Sequence, residues 1–186
     1  MKSNELKSKI IVLNGVSSSG KTTIGKILQN QMNEVYFLLG FDTVFELIPE
    51  KSREDIKYLD LALTNLNKLI CNFANDGINL IIDHLIVREK EIKELISYIE
   101  KFEVYFIKVD CKKEIRNKRE AMRDDRFIGL SDLQEKKIDM FVDYDLRIDT
   151  TYLSPEENAK NIKEFVYNGS KSALSNMMNR YKNHIV

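Results

Sequence analysis

The sequence predicts an α/β fold in three layers, a central and mostly parallel five-stranded sheet covered by helices on both faces. Two observations carry this. Five short apolar runs alternate with longer amphipathic stretches along the 186 residues. The runs are also continuously apolar rather than alternating, which is what a sheet buried on both faces requires.

The first run is Ile10 to Leu13, followed by Val35 to Leu39, Leu80 to Ile82, Val104 to Ile107 and a weaker Leu146 to Ile148. Strands separated by helices of ten or more residues imply βαβ units, hence parallel pairing. Between them, Lys21 to Met32 places Ile24, Ile27 and Leu28 on one stripe. Glu54 to Asn75 steps Ile56, Leu59, Leu63, Leu66 and Ile70 by threes and fours, the helical period. Ser131 with Gln134, and Ser154 with Glu157, read as capping boxes; Pro155 at the first helical position strengthens the second. Helices are therefore expected to start near Asp132 and Pro155. The segment from Asn168 to Val186 opens on Asn-Gly-Ser and reads as a linker with a docked or frayed terminal helix. No repeat or linker-like tract divides the chain, so one domain is expected over 1–186.

Composition narrows the function classes. The chain is 43% hydrophobic and 31% charged, enough to build a core. Lysine plus arginine equals aspartate plus glutamate at 29 each, and this neutral balance weighs against a nucleic-acid partner. Cys71 and Cys111 lie far apart without CxxC spacing, so reduced thiols are expected rather than a disulfide framework or zinc site. The charged N-terminal residues do not read as a signal peptide, and no apolar run approaches a membrane span. The expectation is a cytoplasmic protein without a membrane partner.

The chemistry enters directly after the first strand, at Gly15-Val16-Ser17-Ser18-Ser19-Gly20-Lys21-Thr22. This is GxxxxGK[ST] between a strand and a helix, the phosphate-binding P-loop. Gly15 and Gly20 let successive amides turn inward toward phosphate oxygens, and the following helix adds its positive end. Lys21 can reach the β- and γ-phosphates, and the Thr22 hydroxyl can ligate Mg²⁺.

The remaining strand ends offer partners. Gly40-Phe41-Asp42 closes the second strand, so Asp42 is expected beside the phosphates, where a carboxylate can take a proton from an attacking hydroxyl. The same Asp42 fits an N-cap of a short helix from Val44 to Leu47; the two readings are compatible. The third strand ends Ile81-Ile82-Asp83, a Walker B pattern whose carboxylate orients Mg²⁺. His84 follows as a lone histidine, structural or substrate-contacting. Phe41, Phe45 and Leu85 are candidates for an apolar acceptor wall, or core. Arg116, Arg119 and Arg123 recur at helical spacing, with Arg126 on the same face. Spacing alone favours a solvated helix laced by ion pairs over a lid of arginines closing on ATP.

Together these residues resemble the chloramphenicol phosphotransferase family of small P-loop kinases. The resemblance runs from Ile11-Val12-Leu13-Asn14-Gly15 through Gly40-Phe41-Asp42 with Pro49, Ile81-Ile82-Asp83 and Val109-Asp110-Cys111. It continues through Arg119-Glu120, Arg123 and Asp125-Arg126 to Asp149-Thr150-Thr151, covering about residues 10–166. It implies a P-loop kinase fold like that of shikimate and nucleoside-monophosphate kinases, with the P-loop strand central and a helical lid over about 112–130. It implies ATP and Mg²⁺, Asp42 as the base, Arg123 and Arg126 as lid residues, and Arg119 and Thr150 at the nucleotide. The partner it implies is a small-molecule acceptor bearing a hydroxyl.

Two departures leave the acceptor open. The stretch between Pro49 and Asn79 is shorter than in the antibiotic kinase and lacks its glycine-rich insertion, and His84 stands where a second acid is found there. An anionic acceptor would need convergent basic groups, and few lie near Asp42 in sequence. Other readings of the same P-loop are a toxin-like kinase acting on a nucleotide-sugar or RNA, and a nucleotide-binding regulatory module without turnover.

Overall fold

Continuously apolar strands need cover on both faces, and the fold supplies it. The computed structural model describes residues 8–122 and 130–182. Five strands, Lys9–Asn14 (β1), Tyr36–Gly40 (β2), Asn79–His84 (β3), Glu103–Asp110 (β4) and Leu146–Asp149 (β5), form one sheet. Their order is β2-β3-β1-β4-β5, and every pairing is parallel. The P-loop strand is central, as expected.

Alternation along each strand sends residues to two cores. On one face Ile11 and Leu13 of β1 join Ile81, Tyr105, Ile107 and Val109. Helices Lys21–Gln31 (α1) and Pro155–Asn168 (α7) cover them with Ile24, Leu28, Ala159 and Ile162. On the other face Ile10 and Val12 pack with Leu80, Ile82, Val104 and Phe106. Here the cover comes from Phe41–Phe45 (α2), Ile56–Asn75 (α3), Glu89–Ile99 (α4) and Ala173–Lys182 (α8). Lys113–Glu120 (α5) and Leu130–Ile138 (α6) lie between β4 and β5 in the chain.

Several local expectations are corrected. The short helix after β2 is Phe41–Phe45, not Val44 to Leu47; its N-cap is the extended Gly40, and Asp42 sits in its first turn. Asp42 is therefore not the cap, though an acid there still complements the helix dipole. The third helix begins at Ile56 because the Asp55 carboxylate accepts from the Lys57 N–H and caps it. α6 is already helical at Leu130, so Ser131 lies inside the helix rather than at its cap. The Ser154 capping box with Pro155 is as expected. α4 was not expected from sequence; Arg88 precedes it, and Glu91 accepts from the Arg88 and Val87 amides.

The terminal segment is docked. Asp145 accepts from the Ser172 and Ala173 amides at 2.7 and 2.8 Å, capping the start of α8, and also from Phe106 N. Ala173, Met177 and Tyr181 then close the core over β4. No helix among the described residues is long and apolar enough to cross a membrane. Since Met177 is fully buried, Met177→Ala is expected to cost about 2–4 kcal/mol of folding free energy. Urea unfolding of the variant measures it, and a loss near zero would mean that α8 is not part of the cooperative core.

Candidate active site

Residues whose side chains carry charge gather where the strands end. The register pairs Leu13 with Asp83 and Asn14 with His84, and pairs Gly40 with Asp83 across β2. The loop after β1 and the start of α2 thus lie at the end of β3 that carries Asp83, in the crevice position typical of open parallel sheets.

The loop is held by close packing. A Cβ on Gly15 would stand 2.5 Å from the Val109 carbonyl oxygen and 2.7 Å from Ser19 Oγ, so no side chain fits there. Ser18 adopts φ 58° and Gly20 φ 101°, left-handed turns that rotate consecutive amides to one side as in anion-binding nests. The hydroxyls of Ser18 and Ser19 are buried without a partner among the described residues. Buried hydroxyls normally find one, so these two fit a phosphate-bearing ligand.

Lys21 Nζ donates to the Val16 carbonyl at 3.1 Å and lies 3.7 Å from Asp83 Oδ1. Thr22 Oγ1 donates to Asp83 Oδ2 in a short hydrogen bond. A hydroxyl and a carboxylate oxygen side by side are the hard donors that Mg²⁺ takes with water and phosphate. The described residues hold no cluster of three or more His, Cys, Asp or Glu, and a Mg²⁺ site of this sparse kind needs none. Asp42 is exposed two residues beyond Gly40, on the side of Asp83 given by the β2–β3 register.

The arginine helix does not lie in solvent. Arg116 is buried to 1% exposure and makes a two-pronged ion pair with Glu135 at 2.6 and 2.8 Å. It also donates to the Cys111 carbonyl at 2.7 Å. Arg119 Nη1 reaches the Ser18 carbonyl, Cys111 Sγ and Thr150 Oγ1, and Thr150 Oγ1 donates to the Ser19 carbonyl at 2.8 Å. The solvated-face reading of Arg116 and Arg119 is therefore overturned: both point inward, and Arg119 with Thr150 braces the loop from behind. Arg123 and Arg126, and the lid residues around them, lie outside the described residues.

Sequence reasoning missed three groups. Gln134, read as part of a cap, instead accepts the Ser17 amide at 2.8 Å through Oε1, joining α6 to the loop. No local signal announces that contact. Asn14 is fully buried, donating to Tyr144 Oη at 2.8 Å and accepting from Ile86 N at 2.9 Å. A polar residue closing an apolar run was its signal. Arg53 was not singled out; it stacks on the Phe45 ring with 5.2 Å to the centroid.

Phe41 and Phe45 are half-buried against the core with their rings 5.3 Å apart, and Leu85 is half-buried. His84 is 2% exposed, with Nδ1 unpartnered among the described residues. Being two residues on from Ile82, it faces the same side of the sheet as Ile82 and Phe41. Burial lowers the His84 pKa below the ordinary imidazole value, against opposing pulls from Glu91 and Asp83.

Comparison with known proteins agrees with this geometry. Residues 8–167 match the family model described as chloramphenicol phosphotransferase-like protein. The Mycobacterium tuberculosis protein named "Putative O-phosphotransferase" is 26% identical over 184 residues, 85% of this chain and 82% of its own. Among solved structures, the M. tuberculosis APS kinase in complex with AMPPNP and APS has a TM-score of 0.68 at 13% identity, covering 87% of this chain and 99% of its own. Shikimate kinase from Acinetobacter baumannii in complex with shikimate has a TM-score of 0.59 at 13% identity, covering 90% and 97%. Both structures share the fold.

The His84 environment sets a pH dependence. With its folded pKa lowered, the unfolded chain binds the proton first as pH falls, so stability should decline as pH drops through about 6.5. His84→Gln should flatten that part of the curve, read as urea midpoints from about pH 7.5 to about pH 5. An identical slope in the variant would mean that His84 does not titrate between the two states.

Proposed function

The chain belongs to the chloramphenicol phosphotransferase-like family, and on that premise we propose that this kinase moves the γ-phosphoryl group of ATP, with Mg²⁺, onto a hydroxyl of a small molecule. The observation that carries the reading is the convergence of Lys21, Thr22 and Asp83 beside a loop with left-handed turns at Ser18 and Gly20.

Each residue then has a role. The amides of Ser18, Gly20, Lys21 and Thr22 and the hydroxyls of Ser18 and Ser19 bind phosphate oxygens. Gly15 and Val16 form the loop's first turn, and the Ser17 and Ser19 amides hold its shape through Gln134 and the Val16 carbonyl. Lys21 supplies a point charge to the β- and γ-phosphates. Thr22 and Asp83 would hold Mg²⁺, which when bound neutralises charge on the transferring group. Asp42 accepts the proton of the acceptor hydroxyl while that hydroxyl's oxygen bonds to the γ-phosphorus and the bond from the γ-phosphorus to the β–γ bridging oxygen breaks, releasing ADP. Arg119 and Thr150 act at the nucleotide by holding the Ser18–Ser19 backbone. Arg123 and Arg126 are proposed to meet the γ-phosphoryl from the lid. Phe41, Phe45 and His84 line the acceptor side, on the face of the sheet opposite α1, with Leu85 following His84 at the end of β3.

Because phosphoryl transfer depends on positioning and charge, these roles hold for any acceptor that brings a hydroxyl to Asp42. Acceptor-dependent ADP release with Mg-ATP tests the reading, using chloramphenicol, other hydroxylated antibiotics, nucleosides and sugars. ATP binding with no acceptor-dependent release would favour the regulatory alternative.

Asp42→Asn is expected to lower kcat by about 10²–10⁴, the usual worth of a general base, with ATP affinity retained. Full turnover in that variant would remove Asp42 from the role of base.

A further inference from the structure

Six arginines lie among the described residues, and five are committed. Arg88 pairs with Asp60 and Glu91, Arg116 with Glu135, Arg147 with Asp110 and Asp139, and Arg180 with Asp143. Arg119 is spent on Ser18, Cys111 and Thr150. Arg53 is different. Its Nε donates to the Ile48 carbonyl at 3.0 Å, and its guanidinium lies over the Phe45 ring. No carboxylate among the described residues pairs with it, although Glu46, Glu50, Glu54 and Asp55 are near in sequence. A guanidinium carries five N–H donors, so the four on its two terminal nitrogens are uncommitted.

Its position matters as much. Phe45 is one helical turn from Asp42 on α2, a spacing that makes the two neighbours on the helix surface. The backbone bond and the ring fix the plane of a half-buried guanidinium, lowering the entropy lost when it binds a ligand. A rigid fork with open terminal donors matches an oxyanion, carboxylate or phosphate, bound through two parallel hydrogen bonds.

We propose that Arg53 is the acceptor-recognition residue, and that the acceptor is a hydroxyl compound bearing an oxyanion about one helical turn from the reacting hydroxyl. This rests on the kinase reading with Asp42 at the reacting end. It departs from a neutral antibiotic as acceptor and supplies the basic group that sequence proximity to Asp42 does not reveal. Arg53 binds the anion, the Phe41 and Phe45 pair flanks the acceptor carbon skeleton, and Asp42 faces the hydroxyl.

The test uses matched pairs differing only in the anion: nucleosides with their monophosphates, sugars with their sugar phosphates, and hydroxy acids with their methyl esters. In acceptor-dependent ADP release, the anionic member is expected to be favoured. Arg53→Met should raise its KM by about tenfold to a hundredfold while kcat changes little, abolishing the preference within the pair. Arg53→Lys should restore part of it, having charge without the fork. Success of phosphates or of carboxylates identifies which oxyanion is bound. A preference for neutral members, or one unchanged in Arg53→Met, overturns the proposal while leaving the kinase reading intact.

A second measurement does not need turnover. Phenylglyoxal should modify Arg53 faster than the ion-paired Arg88, followed by peptide mass spectrometry, and the anionic probes should protect it where neutral partners do not. Protection without turnover would retain the anion site and reject the kinase reading. Absence of protection by every anionic probe overturns the proposal.

Discussion

The packing of Gly15 against the backbone of Val109 is the constraint on which the site depends. With a Cβ excluded by the Val109 carbonyl, the chain leaving β1 lies flat against the end of β4 before turning into α1. That contact ties the loop to the sheet at its centre, where β1 is paired on both sides. Further bonds then follow outward. Thr150 N donates to the Asp110 carbonyl, Thr150 Oγ1 to the Ser19 carbonyl, and Arg119 grips both Thr150 and the Ser18 carbonyl. The left-handed residues Ser18 and Gly20 are thus over-determined by their surroundings, the condition under which such backbone conformations persist.

A second set of interactions holds α6 over the loop, and it is electrostatic. Lys108 projects from the middle of the sheet and is 2% exposed. Burial lowers its pKa, while Asp139 at 2.9 Å and Asp110 at 3.8 Å pull the other way. A buried ammonium deprived of its carboxylate typically costs about 3–5 kcal/mol, so Asp139 is not readily released. Arg116 and Glu135 repeat the arrangement one turn earlier in α6. Beside Glu135, Gln134 meets the Ser17 amide. The geometry at the loop is therefore fixed by charge pairs that need not touch a ligand.

What the sequence made legible follows from how local each signal is. The strands were readable because burial on both faces forbids polar interruptions, and the loop because its glycines answer to backbone geometry within eight residues. Ser154 and Pro155 announced α7 for the same reason. By contrast, α4 starts at an arginine, a poor cap by type, which works only because Asp60 on α3 and Glu91 hold its guanidinium. The inward turn of Arg116 was equally hidden, since nothing near it in sequence marks Glu135 as its partner. Asp42 was misassigned as a cap because β2 passes into helix at Gly40 without a connecting loop. Arg53 escaped notice because its meaning lies in having no carboxylate partner among the described residues, which only the folded structure reveals.

The two faces of the sheet divide the chemistry. Thr22 and Asp83 meet on the side covered by α1, whereas Phe41, Phe45 and His84 belong to the side covered by α2, α3 and α4. β2 and β3 pass between the two sides, and the pairing of Gly40 with Asp83 constrains how far Asp42 stands from Thr22 and Asp83. That separation is therefore set by strand register, which cannot slip by one residue without turning every core side chain to the wrong face. The connection from Glu46 to Asp55, which carries Arg53, is under no such restraint. It contributes Ile48 to the core and otherwise forms a short 3₁₀ turn at Glu50–Ser52 on the surface. A fold arranged this way can alter what it recognises by changing that connection while the phosphoryl-transfer geometry stays where the sheet holds it.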